Sequence, residues 1–476
     1  MYFPCIIVTL QSNMEQQRQH VPTELGTKNM GALLWQYALP AIIAMTASSL
    51  YNNVDRIFIG QGVGAMAISG LATTFPFMNL SAALGAMVGV GASTVISVRL
   101  GQKDHRTAQL VLGNAVTLNI IIGTLFTIAC WPFLDEILYL FGASSNTLPY
   151  AREYMEVILL GNIITHSYFG LNAILRAAGH PKIAMQCTML AVLANVILDP
   201  LFIWGFEMGI RGAAWATILS QVISLIWQIQ VFSRPNELLR FQRGIYRPRL
   251  NIIRQTLAIG LSPFLMNCCA CLVVLITNRG LSAHGGDHAI GAYGIMNSVM
   301  FLFIMVIMGL NQGMQPIAGY NWGAHQNHRV WQVLRYTMGA ATFVSVIGFV
   351  VAQYCPHLMV RLFTDDPTIM EMAVRGFHIT AALFPIVGPQ MVVGNFFQSI
   401  GHAGKSIFMS LSRQLIFFLP LLIILPDYWG LDGVWAAQAI SDGISFFVAS
   451  GMLCYLVLRI RKKEKRNIAY SEQKNE

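Results

Sequence analysis

Stretches without Asp, Glu, Lys or Arg run through most of the chain, at 29–54, 57–98, 107–134, 212–233, 255–278, 288–328, 336–360 and 376–404. Each is long enough for at least one membrane crossing, which takes about 20 apolar helical residues. Glycine-rich turns and short polar breaks between them predict about twelve helices, over 31–59, 65–98, 107–134, 149–175, 182–204, 212–233, 252–279, 289–321, 329–359, 370–399, 406–425 and 431–459. A β-barrel would instead show spans of about ten residues with alternating polarity. The fold class read from the pattern is an all-α polytopic membrane protein.

Composition agrees. Of 476 residues, 55% are apolar and 11% charged, against about 25% charged in a soluble protein. A soluble enzyme, a disulfide scaffold and a disordered chain are excluded. Cys268 and Cys271 form a CxxC, but no second pair or nearby His completes a metal site. The opening MYFPCIIVTL lacks a basic n-region and a clear cleavage site, so no signal peptide is expected.

Basic residues set the orientation. With both termini in the cytoplasm, 24 of the 30 Lys and Arg lie inside or at the inner edge; Arg56, Arg152, Arg211, Arg279, Arg361 and Arg375 are the exceptions. This is the positive-inside bias. The net charge of +9 therefore calls for membrane lipid rather than nucleic acid as a partner.

The chain repeats at an offset of about 222 residues: LYLFGAS (138–144) answers VRLFTDD (360–366), and GIRGAAWATILSQ (209–221) answers GLDGVWAAQAISD (430–442). His180 aligns with His402, Pro40 with Pro263, and Gly101 with Gly323. Six spans separate equivalent points, so the two six-helix repeats are parallel, related by an axis along the membrane normal. The expected organisation is a disordered tail over 1–28, an N-terminal lobe over 29–233, a cytoplasmic linker over 234–251, a C-terminal lobe over 252–459 and a basic tail over 460–476. Such halves suit alternating access. Gly85/Gly89 and Gly309/Gly313 have GxxxG spacing and are read as helix-packing positions.

Charges inside apolar spans are costly and usually functional. Asp55 in SLYNNVDRIFIG and Asp199 in ANVILDPLFIWG each lie about five residues before an outer loop, and Thr217 lies about five residues beyond one. At 1.5 Å per residue these groups share a depth of about 8 Å below the loops. Asn195 precedes Asp199 by four residues, and Tyr51 stands in the same relation to Asp55, so each pair shares a helix face. Pro200 cannot donate to the carbonyl of Val196. If the first, fifth and sixth spans adjoin, two carboxylates, an amide and a hydroxyl converge, an oxygen set suited to a proton or to Na+. The competing reading has Asp55 capping an interfacial helix end beside Arg56. The second repeat lacks the set, since Asn278 answers Asp55 and leucines answer Asp199. Asp442, deep in the twelfth span, either bonds a neighbouring helix, with Arg413 a candidate, or forms a second cation or substrate site. Glu153 and Glu156 read as interfacial, His166 and His378 as packed. Pro40, fifteen residues before Asp55, favours a kink there. Met45, Met78, Met296, Met300 and Met391 offer an adaptable apolar lining.

No catalytic motif appears. GHAGKS at 401–406 lacks the first glycine of a phosphate-binding loop, and no strand precedes it. No enzyme and no cofactor are expected.

Two six-helix halves, PAIIAMTASSLYNNVDRIFIG in the first span and glycine-rich inner loops resemble the multidrug and toxic compound extrusion (MATE) family, over essentially the whole chain after about residue 28. SLYNNVDRIFIG and the N-x-x-x-D of ANVILD resemble its bacterial branch named after the DNA-damage-inducible protein F. The resemblance implies a V-shaped two-lobe antiporter of the bacterial inner membrane, expected as a monomer, that exports organic, often cationic drugs in exchange for H+ or Na+. It implies an ion site of Asp55, Asn195, Asp199 and Thr217 with Tyr51 and Asn172 nearby, and matches Pro40 to the proline of a bent helix. Asp442 is kept as a supporting position. Another branch carries acidic residues in the seventh and tenth spans, which 255–278 and 376–399 lack. The rival reading is a lipid-linked sugar flippase of the same wider superfamily, which would call for a strongly cationic cavity.

Overall fold

The computed structural model describes residues 23–473 and is all helical over them. Spans follow the apolar stretches closely. The first is Met30–Gly62, the second Ala65–Gly101, the third begins at His105, the sixth is Gly209–Phe232, the ninth Asn327–Tyr354 and the twelfth begins at Leu431. The fifth, Pro181–Gly205, and the eleventh, Ala403–Trp429, each contain a π-helical turn, at Leu201–Gly205 and Ser412–Phe418. Nine helices among the described residues are individually long and apolar enough to cross a bilayer. Two further spans are broken pairs, and the 74-residue stretch Leu250–Gly323 is two helices meeting at Gly286 (φ 65°), so nine becomes the expected twelve.

Local chemistry fixes the ends. Asn29 accepts from the Gly31 N–H at 3.0 Å to open the first span, and Asp104 accepts from the Thr107 N–H at 3.0 Å to open the third. These side chains satisfy amides that a helix start leaves unpaired. The turn after the first span passes through Gly64 at φ 112°, a conformation open to glycine.

The bends fall in the fourth and tenth spans. Leu148–Leu160 and Asn162–Ala177 meet at 58°, and Pro367–Thr380 and Phe384–Ser399 at 56°. These are corresponding places in the two repeats. At Gly161 a Cβ would lie 2.2 Å from Cδ1 of Ile218, so the break sits tightly against the sixth span. Pro40 lies inside an unbroken helix.

The chain forms two compact units that interleave along the sequence. The first comprises residues up to Cys271 with Met308–Thr337 and Phe396–Ile407; the second comprises Leu272–Ile307, Met338–Asn395 and the residues from Phe408 onward. Within the first unit, a Cβ on Gly101 would lie 1.9 Å from the carbonyl oxygen of Tyr320, and one on Gly323 2.0 Å from that of Val98. These two glycines correspond in the repeat, and each packs on the helix end that carries the other. That reciprocity is what a two-fold relation between the repeats requires. The GxxxG glycines are packing positions too: Gly85 and Gly89 sit on His166 and Gly170, Gly309 and Gly313 on Ile42 and Ala38.

Two segments are more ordered than the sequence suggests. Of the tail expected over 1–28, residues 1–22, including the opening thirteen, lie outside the described residues. Thr23–Thr27, in contrast, is a helical turn whose Leu25 is fully buried; the Leu25 carbonyl and that of Lys28, just after the turn, accept from Arg329 at 3.2 and 2.8 Å. The linker packs onto the third span. Asn114 Oδ1 accepts from the Arg249 N–H at 2.8 Å, Gln109 Oε1 from the Arg240 N–H at 3.1 Å, and Thr117 Oγ1 donates to the Tyr246 carbonyl at 3.0 Å. Leu239 and Ile245 join the buried cluster there. The last helix runs to Gln473.

Candidate functional site

Helical periodicity places Asn195 and Asp199 one turn apart on the fifth span, and Tyr51 and Asp55 likewise on the first. The tertiary structure brings both pairs against Thr217 of the sixth, all within the first unit. Asn195 Nδ2 donates to Asp199 Oδ1 at 3.2 Å and to Thr217 Oγ1 at 3.4 Å; the Tyr51 hydroxyl lies 3.4 Å from Thr217 Oγ1. The carboxyl groups of Asp55 and Asp199 are neighbours within side-chain reach of each other. Asp199 is wholly buried and Asp55 is 6% exposed. Three spans read as sharing a depth therefore also share a location.

Arg56 does not draw Asp55 to the surface. Its guanidinium sits over the Phe75 ring, 5.2 Å from the centroid, while Asp55 turns inward.

The cluster is rich in acceptors and poor in donors. Asp55 Oδ1, Asn195 Oδ1 and Asp199 Oδ2 are buried and have no hydrogen-bond partner among the described residues. An orphaned buried polar atom costs about 1–3 kcal/mol, and more when charged. Buried polar groups are normally paired, so three orphaned oxygens in one cluster call for an explanation. A proton or a hard cation would supply what they lack, and Na+ there would be held by the two carboxylates with the Asn195 and Thr217 oxygens.

Tyr154 of the fourth span is a member that sequence reading passed over. It is 1% exposed and lies close to Thr217, Asp55, Asp199 and Tyr51. The neighbouring Glu153 and Glu156 attracted attention as charges, yet one residue is about 100° around a helix, and Tyr154 is the one that faces inward. Glu156 belongs to an exposed ion cluster with Arg152 at 3.0 Å and Arg211 at 3.5 Å.

Asn172 is held elsewhere in the unit. Its Nδ2 donates to the Ala184 carbonyl at 2.9 Å and to Thr188 Oγ1 at 3.3 Å, and its Oδ1 accepts from Arg176 at 2.5 Å. His166 is fully buried with Nε2 3.3 Å from Ser81 Oγ. Asp442 lies in the second unit, paired with Arg413, whose Nε donates to Oδ1 at 2.9 Å. The arginine stands on the π-helical turn Ser412–Phe418. Of the two readings of Asp442, the helix-bridging bond is therefore present.

The fold and sequence have clear relatives. The MatE family model matches the chain twice, over 40–201 and 263–424, reproducing the internal repeat at an offset that pairs Pro40 with Pro263. The multidrug export protein MepA of Staphylococcus aureus (strain N315) is 29% identical over 428 residues, 90% of this chain and 94% of that protein. MepA of Staphylococcus haemolyticus (strain JCSC1435) is 28% identical over 87% of this chain and 91% of that protein. Among solved structures, the MATE multidrug transporter DinF-BH, solved as a complex, superposes with a TM-score of 0.84 at 34% identity, covering 90% of this chain and 96% of that one. A MATE in the bent conformation gives 0.87 at 24% identity, covering 94% of this chain and 99% of that one, a likeness of fold. With both repeats matched and twelve spans in place, the chain belongs to the MatE family, the multidrug and toxic compound extrusion transporters, and is a multi-pass membrane protein.

Proposed function

We propose that this protein is a secondary active multidrug efflux antiporter that exports organic, often cationic, compounds by alternating access in exchange for H+ or Na+. The observation that carries the coupling site is the buried cluster of Asp55, Asn195, Asp199 and Thr217 with its three orphaned oxygens. The names of the relatives, multidrug export proteins and a multidrug transporter, support the cargo class.

Two adjacent buried carboxylates without a cation between them would repel and forfeit solvation. The pair therefore holds a proton or Na+, and unloading must be matched by a change in its surroundings. Tyr51 and Asn195 meet at the Thr217 hydroxyl, so a change at the carboxylates is passed to the first, fifth and sixth spans together, with Tyr154 of the fourth beside them. Pro40 leaves one backbone hydrogen bond unmade in the first span, a soft point for that change. With both termini in the cytoplasm of a bacterial inner membrane, an ion loaded from outside gains about 2.3 kcal/mol per charge per 100 mV, enough for one ion to drive concentrative export.

The test is ethidium efflux from preloaded, energised cells lacking their own pumps, with Asp199→Asn as the comparison. Wild-type efflux that falls to background in well-expressed Asp199→Asn supports the reading. Unchanged efflux in the variant sinks the coupling site. No efflux from well-expressed wild type sinks the cargo class and directs attention to lipid-linked sugars. Repeating the assay in proteoliposomes with an imposed proton or sodium gradient identifies the ion.

A further inference from the structure

The second unit contains a charged pair that the coupling cluster does not use. Arg413 and Asp442 lie inside the eleventh and twelfth spans, with Arg413 Nη2 2.8 Å and Nε 2.9 Å from Asp442 Oδ1. Gln438 Nε2 reaches the other carboxylate oxygen at 3.4 Å, and Ser441 Oγ donates to the Arg413 carbonyl at 3.0 Å. The pair borders a cavity made wholly by residues of this unit. Met296, Met300, Phe377 and Phe384 form its apolar wall, and Asn297 and Thr380 add polar points. Among the described residues no other acidic or basic side chain lines it. Thr380 Oγ1 is buried without a partner among the described residues.

The two charges are not equally available. The Asp442 side chain is 5% exposed and that of Arg413 23% exposed, so the guanidinium is the more accessible of the two. A guanidinium carries five N–H donors. Two point at Asp442 Oδ1, which leaves three. An entering organic cation would meet a positive group whose counter-charge is already engaged, and the first charge–charge term would be repulsive. An entering anion would meet charge-assisted donors in poorly solvated surroundings, where such bonds are strongest. The planar guanidinium matches the two oxygens of a carboxylate. Two methionines and two phenylalanines beside it suit a flat apolar body, since thioethers adapt to and favour aromatic rings. The π-helical turn that holds Arg413 is itself a feature common at binding sites.

We propose that the second unit holds a binding pocket for an aromatic carboxylate, its anionic group bonded to the guanidinium of Arg413 and its ring against Met296, Met300 and Phe377. Asp442 occupies two of the guanidinium's donors and leaves three for the ligand. This site shares no residue with the Asp55/Asp199 cluster and is read out by binding without any ion gradient, so its failure and that of the coupling site are distinguishable.

The experiment is calorimetric titration of the full chain in nanodiscs with 2-naphthoate and with the matched cation 2-naphthylmethylammonium, with empty nanodiscs subtracted. Wild type should bind naphthoate saturably, one per chain, at least tenfold tighter than the ammonium. Arg413→Gln should weaken naphthoate at least tenfold, whereas Asp442→Asn, which frees donors, should leave naphthoate binding equal or tighter. Should Arg413→Gln fail to fold with Asp442 left alone, the double variant Arg413→Gln/Asp442→Asn carries no charge in the pocket and should show the same loss. Absence of saturable naphthoate binding overturns the proposal. So do tighter binding of the ammonium, loss of naphthoate binding in Asp442→Asn, and full binding without Arg413.

Discussion

Gly91 lies where the second and seventh spans cross backbone to backbone. A Cβ on Gly91 would stand 2.0 Å from the Thr256 carbonyl oxygen, and one on Gly260 would stand 1.8 Å from that of Met87. Ordinary contact begins near 3.4 Å, so Gly91→Ala requires the two helices to separate by about 1.4 Å. Both obstacles are helical backbone, which no rotamer change can move. Overpacking of a well-packed interior costs about 1–3 kcal/mol, and this case belongs near the top of that range. The alanine returns about 1 kcal/mol through helix propensity, leaving a net loss of about 2 kcal/mol. At about 2–4 °C per kcal/mol, the melting midpoint should fall by roughly 4–8 °C. Thermal unfolding in nanodiscs, followed by tryptophan fluorescence, measures it. Gly339→Ala is the control: nothing stands within 4 Å of its Cβ position, so its midpoint should hold or rise. A Gly91→Ala midpoint within 1 °C of wild type would refute the argument from close backbone approach.

At the coupling cluster, Thr217→Val removes the hydroxyl shared by Tyr51 and Asn195; a bond of about 1 kcal/mol corresponds to roughly fivefold slower ethidium efflux, which Thr217→Ser should restore. Tyr154→Phe should slow efflux in the same direction, and wild-type rates in both variants would detach the fourth and sixth spans from coupling. At the start of the third span, hydrogen bonds from Thr107 and then the charge of Arg99 hold the Asp104 carboxyl below its usual range. A carboxyl lowered by folding stabilises above its unfolded value and ceases to do so as pH falls through its folded value. Asp104→Ala should therefore cost about 1 kcal/mol at neutral pH, and the melting difference from wild type should begin to shrink as pH falls below about 4 and vanish only below the lowered folded value; a difference that does not change with pH would exclude the cap.

The sequence determines more of this protein than is usual. Twelve spans were legible because a helix in hydrocarbon must be apolar for about 20 residues, whatever its neighbours are. The repeat was legible because Pro40 and Pro263, or Gly101 and Gly323, keep one spacing. Asp55, Asn195, Asp199 and Thr217 stood out because charge and amide inside apolar spans are rare, and the helical rise gave them a common depth. Tyr154 stayed hidden because a tyrosine in an apolar span looks like core.

Depth and helix face are one-dimensional properties of a span, and the chain carries them by itself. Which spans adjoin, and at what distance, depends on pairs of surfaces far apart in sequence. Only the tertiary structure set Asp55 beside Asp199, paired Asp442 with Arg413, and folded the linker onto Asn114. It also placed the breaks in the fourth and tenth spans, the former at Gly161 against Ile218, whereas the helix of the first span continues through Pro40. A proline marks where a helix can yield; the neighbours that crowd it decide where it does.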